Sequence, residues 1–278
     1  MRNHLYDSPS LQNAPTSKEM TRLVNREVIV VLGWGRAILL QLAHPLVAAA
    51  VADRSAFQTD MRAYARRAWH TVNAMLQLTF GNDQQVHEVA SRINTIHQSV
   101  SGTLHEAAGI FPKGTRYSAT DSGLLVWVHA TLLDSLPFAY EQFVRPLTPD
   151  EHNRYCAEAG VVAALLGFDD QIVPTTRDEL ERYMSRVFAS GDIHVTEHAR
   201  LTADALFHPL HGPGTTLITW FLRTITLGLL PPLIRKAYAP TWNTSDERAF
   251  HRCVRFVRWT RSIAPVVARE WPAARRAR

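Results

Sequence analysis

The stretch Val28-Ile29-Val30-Val31-Leu32-Gly33-Trp34-Gly35 decides the fold class. As a buried strand entering G-x-G-x-x, it would open a dinucleotide-binding α/β domain. Asp53, 20 residues after Gly33, would then fall where such a domain holds a ribose. As a helix, its two glycines let a neighbouring element approach closely. The third glycine position is Ile38, whose side chain blocks close helix–strand packing. The sequence after it shows no βαβ alternation, so no parallel sheet is available to supply a switch point. The helix is the expected reading.

Working outward, three S/T-x-x-E boxes open apolar-periodic segments: Thr148 with Glu151, Thr176 with Glu179, and Thr244 with Glu247. In each, the hydroxyl accepts from the amide three residues on and the carboxylate reaches back. Helices are predicted over 18–43, 60–80, 83–101, 122–147, 149–166, 177–189, 196–206, 214–227, 245–262 and 265–276. The stops are Gly81, Gly102, Gly167, Gly191, Pro209 and Pro265. Strand-like alternation is scarce. The expectation is a loosely attached segment over 1–15, then one all-α domain over 16–278 closing in a basic amphipathic helix pair over 245–278.

Of 278 residues, 46% are hydrophobic and 20% charged, which describes a globular chain. The formal charge of +5 is unevenly placed. Residues 246–278 carry nine arginines against three acids, a net of +6, and the other 245 residues carry 21 basic and 22 acidic groups. Two cysteines, Cys156 and Cys253, build neither a disulfide framework nor a Cys-rich zinc site and suit a reducing compartment. The first 11 residues are polar, with Asp7 and Pro9, and hold no secretory apolar run. The most apolar stretch, 28–52, is interrupted by Arg36, Gln41, His44 and Pro45, so no spanning helix and a cytoplasmic location are expected.

His194-Val195-Thr196-Glu197-His198 matches H-x-x-E-H, the inverted zinc-peptidase pattern, which needs both histidines on one helical face. Gly191 closes one helix and Thr196 is placed to cap the next, so His194 falls before the first turn. No E-x-x-H occurs, which removes the di-iron bundle signature.

Other histidines lie on apolar stripes. At 100° per residue, Arg67, His70 and Thr71 share one face of the 60–80 helix, and Ala74 and Leu78 continue it, as a cavity wall would. His97 shares its stripe with Val86, Ala90, Ile93 and Val100. His129 shares its stripe with Leu125, Val126, Leu132, Leu133 and Leu136. Taken singly, each is more readily a satisfied core histidine than a ligand. Together they are what an axial haem site needs, a neutral imidazole in apolar surroundings. With C-x-x-C-H absent, any haem is held non-covalently.

Six motifs carry a resemblance: Gly35-Arg36-Ala37 to Gln41-Leu42-Ala43-His44-Pro45; Arg67-x-x-His70-Thr71; Phe80-Gly81; His97-x-x-Val100-x-Gly102; Trp127-Val128-His129-Ala130-Thr131-Leu132-Leu133-Asp134-Ser135; and Gly228-Leu229-Leu230-Pro231-Pro232. In order and spacing, over roughly residues 26–240, the chain resembles the rubber oxygenase (latex-clearing protein) family. That family's relatives include a fungal membrane-associated oxygenase of mycophenolic acid synthesis. The resemblance implies an all-helical, globin-like core holding haem b, and an oxygenase that uses dioxygen on apolar, isoprenoid-type or lipid-like substrates. It implies His97 as the proximal iron ligand and Arg67 and Thr71 as distal polar residues. His70 stands where rubber-cleaving members have lysine, as a catalytic group or a distal iron ligand, and makes polyisoprene itself a doubtful substrate. His129 and His44 are the alternative cofactor-binding positions. Two other readings stand beside the oxygenase: a non-catalytic haem carrier or sensor of the same fold, and a cofactor-free helical interaction protein.

In the tail, Arg248, Arg252 and Arg255 cluster on one face, opposite Phe250, Cys253, Val254 and Val257, and Arg258 and Arg261 flank them. The plain reading is a solvated face over the core; the sharper one is peripheral contact with an anionic membrane surface. Nucleic acid is not expected, because no stacking platform or helix–turn–helix accompanies the arginines.

Overall fold

The glycine-bearing stretch is helix in the computed structural model, which describes residues 18–54, 61–168, 173–207 and 215–277. Val28–Val30 make a 3-10 turn running into α2, Val31–Leu42, after a short α1, Glu19–Asn25. Then follow α3, Pro45–Arg54; α4, Met61–Phe80; α5, Asp83–Gln98; α6, Ser122–Phe143; α7, Pro149–Leu165; and α8, Arg177–Ser190. The chain continues through α9, Glu197–Phe207; α10, Thr216–Leu229; α11, Pro232–Tyr238; α12, Thr244–Ile263; α13, Val266–Arg269; and α14, Pro272–Arg276. One small antiparallel hairpin, β1 (Ser101–Thr103) on β2 (Arg116–Ser118), pairs Gly102 with Tyr117. The architecture is all-α. The expected 1–15 segment and the stop at Pro209 lie outside the described residues.

The glycines serve contact rather than a nucleotide. A Cβ on Gly33 would stand 2.7 Å from Ala139 Cβ and 2.8 Å from the Ser135 carbonyl oxygen, so α2 packs backbone to backbone on α6. A Cβ on Gly35 would stand 2.7 Å from Thr226 Oγ1, which brings α10 equally close. Leu39, Leu40, Leu42, Trp127, Leu133, Leu136 and Leu227 fill the core that these approaches create. Burying such side chains contributes about 1.5–3 kcal/mol each.

Two of the three predicted capping boxes form as read, at Thr148/Glu151 and Thr176/Glu179. The third is shifted by one residue: Asn243 caps α12 with Asp246, which frees Glu247 for Arg235 and Trp242. A fourth box, Asn82 with Gln85, opens α5. Gly191 closes α8 at φ +87°, as predicted. Gly102 is not a helix stop; α5 ends at Gln98 and Gly102 sits in β1.

The predicted 18–43 helix is two helices. Glu27 is extended (ψ 116°) because it bridges Glu270 and accepts both nitrogens of Arg261, a tertiary demand that local periodicity does not carry. The predicted 265–276 helix is also two, since Pro272 holds Trp271 extended (ψ 142°). Trp271 N–H then donates to the Arg26 carbonyl, which ties the tail to the body. The short α3 and α11 were not foreseen. By length and composition one described helix, α6, could cross a membrane, yet most of it is buried in the core; α2 and α3 would qualify only as a pair, and they are bent by 105°.

Candidate functional site

The motif residues fall into four places. The first is the α4–α5 hairpin. Gly81 N–H donates to the Gln77 carbonyl and Asn82 caps α5, so the chain reverses within two residues and the helices pack side by side. With equal rise from the turn, Arg67 stands level with His97, and His70 lies about one turn nearer the loop. Ala74 and Leu78 pack into the interior with Val86 and Val89, as the stripe predicted. Further up the same stripe, His70 and Thr71 are exposed, and the side chain of Arg67 lies outside the described residues. His97 is half-buried, and its ring has no hydrogen-bond or ion-pair partner among the described residues. Burial pushes its pKa below the ordinary histidine value, so the imidazole is neutral near pH 7.

The second place surrounds His129 on α6. Its Nε2 is buried with no partner among the described residues, and burial pushes its pKa down to about 4. The ring packs edge-on to Phe168 at 5.5 Å and lines a cavity of about 90 Å³ with Met75, Leu78, Leu132, Leu136 and Val162.

The third is the groove at His44, about 600 Å³, walled by Phe111, Tyr117, Trp127 and Tyr183. His44 Nδ1 accepts from Leu46 N–H at 3.3 Å, which places the neutral ring's proton on Nε2. Burial lowers its pKa, and the carboxylates of Asp192 and Asp121 oppose that shift. The cavities of His44 and His129 share no lining residue, so the three histidines do not form one site.

The fourth place is a cross-link that the sequence reading missed. Arg36, buried on α2, donates to the Leu229 carbonyl (2.8 Å) and Ser135 Oγ (2.7 Å), pairs with Asp134 (2.6 Å) and lies over the Phe138 ring. Gln41 Nε2 donates to Thr131 Oγ1 at 3.1 Å. Gly35-Arg36, Asp134-Ser135 and Gly228-Leu229, three of the motifs, therefore meet to join α2, α6 and α10. Their residue types gave the only signal; a buried arginine with a carboxylate and a hydroxyl elsewhere in the chain is a cross-link waiting for its geometry.

The zinc look-alike resolves as expected. Thr196 Oγ1 accepts from Ala199 N–H and α9 begins at Glu197, so His194 lies before the helix and His198 within it. His194 N–H instead donates to the Ala43 carbonyl. No cluster of three metal-ligating side chains occurs among the described residues.

Residues 21–259 match the family described as the ER-bound oxygenase mpaB/B'/rubber oxygenase catalytic domain. The chain belongs to this family. It is thus an oxygenase-type catalytic domain, with the all-α fold in place and the sequence motifs distributed as above. No curated protein and no solved structure gives a significant match.

The donor set can be tested against the haem that the family resemblance implies. A histidine axial ligand must be neutral, with one ring nitrogen free to face the iron. His97 meets both conditions, at the open end of a helix pair. His129 meets them too, but its cavity of about 90 Å³ is far below the roughly 300–1,000 Å³ of sites for larger ligands. The groove at His44 is wide enough, and its charge is mixed, with Asp121 and Asp192 beside the ring and Arg116 also in the wall. The α4–α5 hairpin is favoured by its residue types rather than by a cavity, since neither cavity described above is lined by His97, His70 or Thr71.

Proposed function

We propose that this chain is a haem b-dependent oxygenase that acts with dioxygen on an apolar, isoprenoid- or lipid-like substrate, with its reaction centre at the open end of the α4–α5 hairpin. The observation that carries the assignment is the half-buried His97 imidazole, without a ring partner among the described residues and held neutral by burial, within a family of oxygenase catalytic domains. The family's printed name, rubber oxygenase, supports the apolar substrate class.

Haem b, when bound, supplies the activation of dioxygen. His97 would hold it from α5. Arg67, permanently charged, and the Thr71 hydroxyl would orient the polar reactant from α4. His70 would offer a ring nitrogen, either as a hydrogen-bond donor to the polar reactant or as a second residue holding the haem. Ala74 and Leu78, one and two turns further along the same stripe, would keep water from the inner edge of the site.

The experiment is the absorption spectrum of the full chain expressed with haem supply, followed by oxygen consumption on apolar alkenes. A Soret band in the wild type, lost in His97→Ala, supports the ligand. A colourless protein overturns the haem reading. Full haem content in His97→Ala moves the ligand to His129 or His44. A Soret band without alkene-dependent oxygen uptake identifies a haem carrier or sensor. Loss of a bis-imidazole spectrum in His70→Ala shows distal coordination by His70.

A further inference from the structure

The large exposed apolar side chains are not scattered. Thirteen are exposed among the described residues, and eight of them lie on α10, α12 and α13. Isolated exposed leucines need no explanation, whereas a contiguous group does.

The packing places the eight at one end of a helix pair. The last turn of α10 meets the start of α12, because Gly228 lies against the Phe250 ring. Phe221, Ile225 and Leu229 share one cluster with Phe250, Val254 and Val257, so the two helices run antiparallel. The start of α10 therefore projects from the same end of the pair as the end of α12. A second set of contacts agrees. Gly35 on Thr226 and Arg36 on Leu229 align α2 parallel to α10, and Arg261 pairs with Glu27 just before α2.

At this end, α10 presents Leu217 (70% exposed), Ile218 and Trp220. α12 presents Phe256, Trp259 (58% exposed) and Ile263, with the Phe256 and Trp259 rings 6.2 Å apart. α13 adds Val266 and Val267. The flanks carry exposed Arg223, Arg252 and Arg255. No acidic residue occurs from His208 to Ser245, and none from Arg248 to Arg269. Glu270, the next acid, is buried. Among the described residues, the exposed side chains of this end are thus apolar at the centre and cationic at the edge, on stretches of chain that carry no acid.

We infer that this end of the α10–α12 pair is a docking surface for an anionic lipid bilayer, with Trp220 and Trp259 seated at the headgroup level and Arg223, Arg252 and Arg255 on the lipid phosphates. The argument is charge complementarity joined to exposed indoles. Tryptophan suits the interface because one part of its ring system is apolar and its N–H is polar. The absence of acids removes the repulsion that a typical mixed-charge surface would meet. The inference deepens the oxygenase reading by placing the protein where an apolar substrate partitions, but its geometry does not depend on haem.

The test is co-sedimentation of the full chain with vesicles of phosphatidylcholine alone and with about a third phosphatidylglycerol. Binding to the anionic vesicles, weakened by salt and much lower on the neutral ones, is expected. Trp220→Glu with Trp259→Glu should lower the bound fraction at least tenfold, with an unchanged circular dichroism spectrum because both side chains are exposed. Arg252→Gln and Arg255→Gln should each weaken binding by about fivefold. Equal vesicle binding by the tryptophan double variant and the wild type overturns the inference. So does a wild-type dimer that ignores vesicles and is split by the double variant, which would make the face a subunit interface. A haem spectrum present without vesicle binding sinks the docking surface alone; vesicle binding by a colourless protein sinks the haem reading alone.

Discussion

His129 gives the sharpest pH prediction. Its pKa falls from 6.5 to about 4 because the ring is buried and Nε2 has no partner among the described residues. A folded-state pKa below the unfolded one means that the unfolded chain binds the proton first. Stability is therefore complete above pH 6.5 and is lost as pH falls through the window down to about 4. Each pH unit of that gap corresponds to about 1.4 kcal/mol, so the ceiling is about 3 kcal/mol. At pH 5 the unfolded group is almost fully protonated and the folded one hardly at all, giving a loss of about 2 kcal/mol relative to pH 8. For a chain of 278 residues, with about 2.1 cal/mol/K of unfolding entropy per residue, that is a fall in Tm of about 3 °C. His44 and His97 are also lowered by burial and act in the same direction, so the comparison must be with a variant. His129→Leu nearly conserves volume in an apolar setting and leaves no partner orphaned; at pH 8 it should be neutral or stabilising. Urea denaturation of both proteins from pH 5 to 8 should show the wild-type curve steeper by about 2 kcal/mol over the range. Parallel pH profiles would refute the burial of a neutral His129.

Arg36→Ala removes one partner of a buried pair and strands the Leu229 carbonyl and Ser135 hydroxyl, and should cost about 3 kcal/mol by chemical denaturation; a loss below about 1 kcal/mol would mean that the α2–α6–α10 cross-link is not structural. Gly33→Ala sets a helix-propensity gain of about 1 kcal/mol against a contact of 2.7 Å with Ala139 Cβ and 2.8 Å with backbone. Since that backbone cannot turn aside, net destabilisation is expected. Gly160→Ala on α7 meets nothing within 4 Å and should instead stabilise by up to about 1 kcal/mol; the same sign for both variants would contradict the close approach. Glu158 accepts from the amides of Met20 and Thr21 and from Thr21 Oγ1, so Glu158→Ala should cost about 2–3 kcal/mol and release α1, visible as faster amide exchange over residues 19–25.

The helical architecture was legible because its signals are local. Ile38 in the third glycine position, the boxes at Thr148 and Thr176, and Gly191 after α8 each act within a few residues. The misread boundaries mark where distant groups prevail. Glu27 is pulled out of helix by Glu270 and Arg261, more than 200 positions away in the chain. The third box moved to Asn243 because Glu247 has a better partner in Arg235. The hairpin β1–β2 is only three residues a strand, too short to show alternation.

The candidate site divides in the same way. Sequence periodicity and motif order brought out His97, His129, His44 and the Arg67–His70–Thr71 stripe as residue types suited to a haem site. Periodicity fixes which residues share a face of one helix, but not what that face meets. Only the packing put His129 fully buried at the edge of a small cavity, His44 in a separate groove beside two carboxylates, and His97 on a helix pair with no ring partner among the described residues. Likewise the tail's basic face was readable from spacing alone. That its exposed aromatics share an end with Trp220, on a helix about thirty residues earlier, depends on the antiparallel packing of α10 on α12. The sequence by itself determined the helical class, most of the helices, the caps at Thr148 and Thr176 and the chemical inventory, because these depend on spacings of three and four residues. The tertiary structure decided which of those groups are neutral, partnered or exposed, because burial and partnership depend on contacts between elements far apart in the chain.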